Sequence, residues 1–177
     1  MLLTGAEIAD EYRRGAVSIE PFDPAQIEQN SYGFRLGHRL LDCAAGADPG
    51  FDARRPITPI ASRRIPADGI VLRPNRLYLG ETMEVIGSDR HACELYGNLS
   101  VAALGVWVQV SAPLGHTGAV VRWTLEIRVA QAIRLHAGMR MGKVAFWSVD
   151  GAVLPYTGRY ANSRTVLQSR LVREPAG

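Results

Sequence analysis

Apolar and polar residues alternate along residues 121–129, and this pattern predicts a β-strand with two different faces. Side chains of a strand point alternately to its two sides, so every second residue shares a face. The apolar face comprises Val121, Trp123, Leu125, Ile127 and Val129. The polar face comprises Arg122, Thr124, Glu126 and Arg128. Glu126 is therefore expected on a polar strand face, where it either lines a cleft or is solvated between two arginines.

The residues before this strand predict its partner and a polar turn. A strand-like run covers residues 106–110, and a loop at residues 112–118 connects it to the strand of Glu126. A glycine turn that holds Gly97, Asn98 and Ser100 precedes the run. We expect the cleft of Glu126 to lie near this turn.

One helix and several short strands are predicted in the rest of the chain. Thr4 as N-cap and Glu7 three residues later form a capping box, and the helix is expected to run to about Arg14 and to stop at Gly15. Residues 44–67 have little periodicity and predict a long surface excursion. Strands are expected at residues 17–19, 30–37 (with a turn at Gly37), 39–41, 70–72, 77–79, 82–85, 133–135 and 143–149. This pattern predicts one all-β domain, a sandwich or barrel, with one N-terminal helix.

The charge of the chain suits a phosphate-bearing small ligand as well as a nucleic acid. The formal net charge is +3, and all the basic residues except Lys143 are arginines, which bind phosphate with two parallel hydrogen bonds. The chain has no lysine-rich run, so we expect no nucleic-acid partner. Four further arginines are interpreted as a solvated edge rather than a phosphate site: Arg54, Arg55, Arg63 and Arg64.

No apolar run approaches the ~18 residues that a membrane span needs, and no signal peptide is recognised. We therefore expect a cytoplasmic protein without a membrane partner. Cys43 and Cys93 are isolated, and the four histidines are scattered. This set provides neither a disulfide framework nor the histidine and cysteine ligands with which zinc-dependent nucleobase deaminases activate water. Any hydrolysis is expected to need no metal at the reacting carbon.

Several stretches resemble, in the same order and spacing, the dCTP deaminases, which share a fold with the trimeric dUTPases. Residues 30–37 resemble the family's S-Y-D-x-R-L-G strand, and residues 95–105 resemble L-x-G-[KR]-S-S-x-x-R-L-G. Residues 123–127 resemble the strand that ends in T-L-E, and residues 137–143 resemble P-G-M-K-I-G-Q. Residues 158–160 with 169–170 resemble the C-terminal K-Y…S-R tail. The resemblance covers nearly the whole chain.

The resemblance implies a distorted jelly roll that assembles as a homotrimer with active sites between subunits. It implies hydrolysis of the 4-amino group of a cytosine nucleotide or, in the dUTPase branch, of the triphosphate. No zinc is used, and Mg²⁺ sits on the phosphates. Glu126 matches the general base, and Ser100 matches the second serine of the phosphate-binding turn, with Gly97 and Asn98 beside it. Arg159 and Tyr160 match residues of a tail, here about residues 156–177, that closes over the nucleotide.

The chain departs from the family at several of these positions. Asn98 and Leu99 stand where the family has a basic residue and its first serine, and Ala103 stands where it has an arginine. His116 stands where the family has an aspartate, so it is a candidate sugar contact or acid/base group, and an inert loop histidine is the alternative. Gly33 replaces another aspartate.

Three hypotheses follow. The chain is an enzyme that acts on dCTP or a modified pyrimidine nucleotide with Glu126 as base, a catalytically degenerate nucleotide-binding trimer, or a structural trimer that binds nothing. Glu126 in its T-L-E setting favours the enzyme over the scaffold, which needs no such carboxylate. Leu99 and Ala103 favour the degenerate binder over ordinary dCTP chemistry, because one lost preorganised donor typically costs ~10²–10³ in rate. The sequence favours the enzyme.

Overall fold

The structure, a computed structural model, describes residues 1–43, 60–108 and 111–171. Two α-helices and a short 3₁₀ helix (Pro24–Gln26) accompany the strands. The α-helices are α1 (Gly5–Arg13) and α2 (Leu99–Ala103). The strands are β1 (Val17–Glu20), β2 (Tyr32–Asp42), β3 (Arg63–Arg64), β4 (Ile70–Leu72), β5 (Tyr78–Ser88), β6 (His91–Gly97), β7 (Val106–Val108), β8 (Leu114–Gly115), β9 (Val121–Val129), β10 (Ile133–Leu135) and β11 (Arg140–Ser148).

The helix α1 begins and ends where its local signals predict, within one residue. The side chain of Thr4 accepts a hydrogen bond from the backbone N–H of Glu7, which satisfies one of the free donors of the first turn. The helix ends at Arg13, and Gly15 follows with a φ of 76°, a conformation that favours glycine. Ile8 is fully buried and fixes the helix to the core.

Within the described part of the chain, nine strands form one curled antiparallel sheet. Its path is β7-β9-β5-β2-β11-β6-β8, with β1 beside β5 and β3 beside β2, while β10 and β4 form a separate pair. The two arms of the sheet meet where a Cβ on Gly97 of β6 would lie 3.4 Å from Val108 of β7. The sheet therefore forms a half-barrel around its core, which confirms the predicted all-β fold with one N-terminal helix.

The alternation in β9 is also confirmed. Four of the five predicted apolar-face residues are buried, and Leu125 and Ile127 have no exposed surface. Trp123 is half-buried, and its indole N–H donates to the carbonyl oxygen of Ile86 at 3.1 Å. On the other face, Glu126 is half-buried and Arg128 is exposed. Strand β9 therefore presents Glu126 away from the core.

Several predicted boundaries differ from the structure. Strand β2 runs through Gly37 without a turn. A Cβ at this residue would lie 2.5 Å from Cγ of Glu81, so the glycine is explained by close packing. Strand β5 is continuous where two strands were predicted, and β3, β6, β8 and α2 were not predicted. Parts of three predicted segments lie outside the described residues. They are residues 44–59 of the excursion, residues 109–110 of the strand and residues 172–177 of the tail.

A buried ion pair joins β2 to β5 at the segment of β5 where its register with β9 shifts. Glu84 has no exposed side-chain surface, and its two carboxylate oxygens accept from the backbone N–H of Arg35 at 2.9 Å and from its Nε at 2.6 Å. The hydrogen bond to Glu84 raises the pKa of Arg35. The hydroxyl of Thr82 donates to the carbonyl of Glu84 at 2.7 Å and holds the irregular segment of β5 in shape.

We predict that Glu84→Ala lowers the free energy of unfolding by about 3 kcal/mol, because it leaves the Arg35 guanidinium without its buried partner. Asp10→Ala, which removes the exposed ion pair to Arg13, is the control and should cost less than about 1 kcal/mol. Denaturant unfolding of both variants measures the difference. Equal costs would show that the Glu84 pair does not hold the two strands together.

Candidate active site

Glu126 lines a cavity of about 660 Å³, a size typical of small-molecule sites. The cavity lies between β9, the segment around residues 111–116 and the C-terminal tail. Among the described residues, Glu126 is the single carboxylate in its lining. The remaining surface is apolar or carries hydroxyl, amide and aromatic groups, apart from Arg122 and His116.

A serine hydroxyl orients the Glu126 carboxylate. Oγ of Ser111 donates to Oε2 of Glu126 at 2.9 Å. The pairing of β7 with β9 brings these residues together, because Val108 lies opposite Ile127 and the chain then continues toward Ser111. Ser111 was not predicted as a site residue. The only signal would have been the register of this strand pair, which alternation does not specify.

The tail crosses the polar face of β9 beside Glu126. The backbone N–H of Arg122 donates to the carbonyl of Ser163 at 2.9 Å, and the N–H of Leu167 donates to Oγ1 of Thr124 at 3.0 Å. The side chain of Val166 packs with Leu41 and Leu79. The tail thus covers this face up to Thr124 and forms one wall of the cavity. That it closes when a ligand arrives remains a prediction.

His116 lies in the cavity lining, where its ring stacks on Tyr156 with centroids 5.5 Å apart. The backbone N–H of Tyr156 donates to the carbonyl of Thr117 at 2.8 Å. Gly118 permits this approach, because a Cβ there would lie 2.9 Å from the Tyr156 nitrogen and its φ is +86°. Tyr156 was predicted only as the start of the tail and not as a site residue.

Tyr160 also lines this cavity, whereas Arg159 lines a smaller neighbouring one of about 320 Å³. Nη1 of Arg159 donates to the carbonyl of Arg170 at 2.8 Å, and the Arg170 side chain donates back to the carbonyl of Arg159. The hydroxyl of Tyr160 accepts from the backbone N–H of Arg170 at 3.1 Å. These contacts fold the tail back on itself next to the cavity.

Gly97, Asn98 and Ser100 do not line the Glu126 cavity. Gly97 ends β6, and Asn98 caps the five-residue helix α2 by accepting from the backbone N–H of Ser100 at 3.1 Å. These three residues were predicted to bind phosphate near Glu126. Within one chain, they do not share a cavity with Glu126.

Three observations bear on metal binding, thiol chemistry and membrane insertion. In the described ranges, no group of three or more His, Cys, Asp or Glu residues is placed to hold a metal ion. Burial raises the pKa of Cys93, which lies behind Gly115 of the cavity wall, to about 12, so its thiol is neutral at pH 7. No described helix is both long and apolar enough to cross a membrane.

Comparison with known proteins places this geometry in context. The family model described as dCTP deaminase-like matches residues 2–149. The chain is 34% identical over 175 residues to the dUMP-forming dCTP deaminase of Clostridium acetobutylicum and 32% identical over 176 residues to that of Leptospira biflexa. Each alignment covers 98% of both chains. A dCTP deaminase of Rhodopirellula baltica is 31% identical over 98% of this chain and 86% of its own length.

A solved structure shares the fold. The crystal structure of 2'-deoxycytidine 5'-triphosphate deaminase from Agrobacterium tumefaciens superimposes with a TM-score of 0.64 at 19% identity. The match covers 82% of this chain and 47% of that one, so this chain spans about half the length of that protein. At this identity the comparison supports the fold alone.

We predict that Glu81→Ala loosens the tail. Oε2 of Glu81 accepts from the N–H of Val166 at 3.0 Å and from Oγ1 of Thr165 at 3.1 Å, so the variant removes both attachments. Amide hydrogen exchange across residues 163–168 should accelerate by at least about tenfold, the factor that 1.4 kcal/mol gives. Thr165→Val, which removes one attachment, should give a smaller change in the same direction.

Glu94→Ala on β6 is the control, because Glu94 bonds to Tyr96 and not to the tail. Unchanged exchange in both Glu81→Ala and Thr165→Val would contradict the assignment of Glu81 as the attachment point of the tail.

Proposed function

The chain belongs to the dCTP deaminase-like family, and from this premise we propose that it is a hydrolase that deaminates the cytosine ring of dCTP or a modified pyrimidine deoxynucleotide. The observation that carries the proposal is the position of Glu126. It is the one carboxylate that the described residues contribute to a cavity large enough for a nucleotide, and a hydroxyl orients it. A carboxylate held in this way is suited to act as a general base.

In the proposed reaction, Glu126 takes a proton from a water molecule as the water oxygen attacks C4 of the cytosine ring. Glu126 then passes this proton to the cytosine ring. The hydroxyl now bonded to C4 gives its proton to the amino group, the C4–N4 bond breaks, and ammonia leaves. One water is consumed, one ammonia is released, and the glutamate returns to its ionised form. Ser111 fixes the orientation of the carboxylate through its 2.9 Å hydrogen bond to Oε2, which leaves Oε1 to accept from the water.

The names of the relatives extend the proposal to the product. The relatives from Clostridium acetobutylicum and Leptospira biflexa are named dUMP-forming. We propose that this chain likewise uses a second water molecule to cleave the triphosphate of the deaminated nucleotide, which gives dUMP and diphosphate. Measuring ammonia and diphosphate from the same reaction distinguishes the two steps.

We propose that the aromatic wall of the cavity holds the sugar and base. His116 and Tyr156 form a stacked pair in the cavity lining, and Tyr160 lies in the tail next to them. Arg159 lies at the adjoining cavity and is placed to add charge-assisted bonds when a phosphate arrives and the tail closes. The resemblance implies the closing role of Arg159 and Tyr160, whereas His116 stands in place of a family aspartate and Tyr156 is added from the structure.

Mg²⁺ is proposed to enter with the nucleotide. The cavity offers Glu126 as its single carboxylate from the described residues, and a hard cation prefers several oxygen ligands. The residues therefore fit an ion held through the phosphates rather than by the protein. Its chemistry there is to neutralise the phosphate charge.

We propose that the protein assembles as a homotrimer whose sites lie between chains. Leu99, Leu104 and Trp107 are 81%, 50% and 49% exposed, and they follow one another through α2 and β7. Such an apolar surface is typical of an interface. A neighbouring chain could bring its Gly97, Asn98 and Ser100 to the cavity that these residues do not reach in their own chain.

A degenerate nucleotide-binding trimer was the alternative from sequence, and we do not favour it. The relatives that match over 98% of this chain carry enzyme names, and Glu126 lines a cavity large enough for a nucleotide. A location in the cytoplasm, where nucleotides are metabolised, is part of the same proposal.

The proposed function is tested with Glu126→Gln, which keeps the shape of the side chain but cannot accept a proton. A nucleotide present at 100 times its Kd should add about 2.7 kcal/mol of stability, so a thermal-shift screen identifies the ligand. We expect ammonia release to fall by about 10²–10⁴-fold or more in the variant while the Kd of that nucleotide changes little. Glu94→Gln, outside the cavity, is the control and should behave as the wild type. Tight binding by the wild type with neither ammonia nor phosphate released over hours would reject the enzyme.

The assembly is tested by light scattering. We expect a particle of three 19.3 kDa chains, because burial of the apolar surface at Leu99 and Trp107 favours association. A particle with the mass of one chain would reject the trimer without deciding the reaction.

A further inference from the structure

A second cavity, of about 760 Å³, is rich in arginine. We call it the arginine cleft and define it by Arg39, Arg64, Arg122 and Arg164, which come from β2, β3, β9 and the C-terminal tail. Glu81 is the one carboxylate that the described residues contribute to its lining. Four guanidinium groups against one carboxylate give the cleft a formal net charge of +3 with His38 neutral. Four segments far apart in the sequence thus bring the same charge to one concave surface.

Two of these arginines lie directly opposite each other on paired strands. Arg39 of β2 is the register partner of Arg64 of β3. Like charges directly opposite in an antiparallel pair are destabilising, so this pair lowers the stability of the fold unless an anion compensates it. Arg63 and Arg64 were interpreted together as a solvated edge, but the strand separates them, and only Arg64 lines the cleft.

The charge of the cleft is little neutralised within the chain. In the described parts of the chain, neither Arg64, Arg122 nor Arg164 forms an ion pair. The carboxylate of Glu81 is almost completely buried and accepts two hydrogen bonds from the tail. Uncompensated arginines gathered in one concave site attract an anion. Arginine matches phosphate in particular, because its planar fork donates two parallel hydrogen bonds.

The tail separates the arginine cleft from Glu126. It lies across the polar face of β9, where the N–H of Leu167 donates to Oγ1 of Thr124 at 3.0 Å. Thr124 is the residue between Arg122 and Glu126 on this face. Leu167 lines both cavities, so the tail is a wall that they share. An anion in the cleft therefore occupies a different place from the nucleotide proposed at Glu126.

One of the four arginines belongs to the tail itself, and the residues on both sides of it are attached to the sheet. The carbonyl of Ser163 accepts from the N–H of Arg122 at 2.9 Å. On the other side of Arg164, the hydroxyl of Thr165 donates to Oε2 of Glu81 at 3.1 Å. These bonds hold a positive charge of the tail against the positive charge of the sheet. An anion between the two replaces this repulsion with attraction to both, so its binding favours the docked tail.

We propose that the arginine cleft is an effector site for a phosphate-class anion, separate from the substrate, and that the anion holds the tail docked on β9. Because the tail forms a wall of the Glu126 cavity, a docked tail strengthens binding there. The coupling is reciprocal, so a ligand in either cavity raises the affinity of the other cavity for its own ligand. The anion site rests on the cleft alone, whereas the effect on the nucleotide rests on the proposed function.

Binding of diphosphate is measured by calorimetry for the wild type and three variants. Arg64→Gln and Arg164→Gln each remove one charge of the cleft, whereas Arg63→Gln makes the same change beside Arg64, outside the lining. We expect the first two variants each to weaken diphosphate binding about fivefold, and Arg63→Gln to stay close to the wild type.

The same chemistry is offered by a free ion and by the phosphates of a second nucleotide, so ATP is titrated alongside diphosphate. If Arg64→Gln removes more affinity for diphosphate than for ATP, the effector is a free ion. If it removes more affinity for ATP, the effector is a nucleotide that binds through its phosphates. Either result supports the site.

Melting temperatures separate binding from folding. Without an anion, Arg64→Gln should melt at the same temperature as the wild type or higher, because it relieves the repulsion from Arg39. With diphosphate, its gain in melting temperature should be smaller than that of the wild type. A variant that merely damaged the fold would melt lower without the anion. Arg164→Gln then carries the test, because none of the bonds named above between the tail and the sheet involves its side chain.

The coupling is measured with deoxycytidine, which has no phosphate and therefore does not compete for an anion site. We expect diphosphate to tighten deoxycytidine binding about fivefold in the wild type and to have little effect in Arg64→Gln. Amide hydrogen exchange across residues 163–168 should become slower in the wild type when diphosphate binds, because the tail opens less often.

Three outcomes would overturn the inference. Equal weakening in Arg63→Gln and Arg64→Gln would show general attraction to a basic surface. Weakening in Arg159→Gln alone would show that diphosphate binds where the phosphates of the substrate are proposed. Diphosphate that binds through the cleft without slowing exchange in the tail would reject the effector role. If no nucleotide releases ammonia, the proposed function is rejected, while diphosphate binding and its effect on the tail still decide the cleft.

Discussion

The carboxylate of Glu81 is the contact on which the site of this protein depends. It is almost completely buried on β5 and accepts hydrogen bonds from the backbone of Val166 and the hydroxyl of Thr165. A buried charge is tolerated only when such bonds replace water, so the tail must stay docked for the carboxylate to remain satisfied. Gly37 of β2 makes room for the side chain of Glu81, which lies on β5. These contacts place the tail over β9, where it forms one wall of the Glu126 cavity.

The polar face of β9 orders the proposed chemistry along one strand. Glu126 lies at one end with a hydroxyl to orient it, and Thr124 in the middle accepts a hydrogen bond from the tail. Residues spaced by two along the strand therefore serve two purposes, one for the proposed chemistry and one for attachment of the tail.

The departures of the chain from its family gain a physical meaning in this arrangement. Asn98 serves as the cap of α2, which fixes the local backbone but offers no positive charge. The fold tolerates departures at these positions because the half-barrel is held by its apolar core and by the Arg35–Glu84 pair, neither of which involves Asn98, Leu99 or Ala103. The same fold at 19% identity in the Agrobacterium tumefaciens structure is consistent with this independence.

The sequence by itself determined the features that depend on neighbours a few residues apart. The cap at Thr4, the alternation of β9 and the all-β class follow from local hydrogen bonds and from a period of two, and the T-L-E setting singled out Glu126. Only the tertiary structure decided which strands pair and in which register. The sequence predicted a turn at Gly37, whereas β2 continues through it. This glycine is needed because the side chain of Glu81, on another strand, packs against it. The tertiary structure also brought Ser111 to Glu126, Tyr156 to His116 and Arg64 opposite Arg39, because contacts between residues far apart in the chain are set by packing of the whole sheet, which no local pattern records.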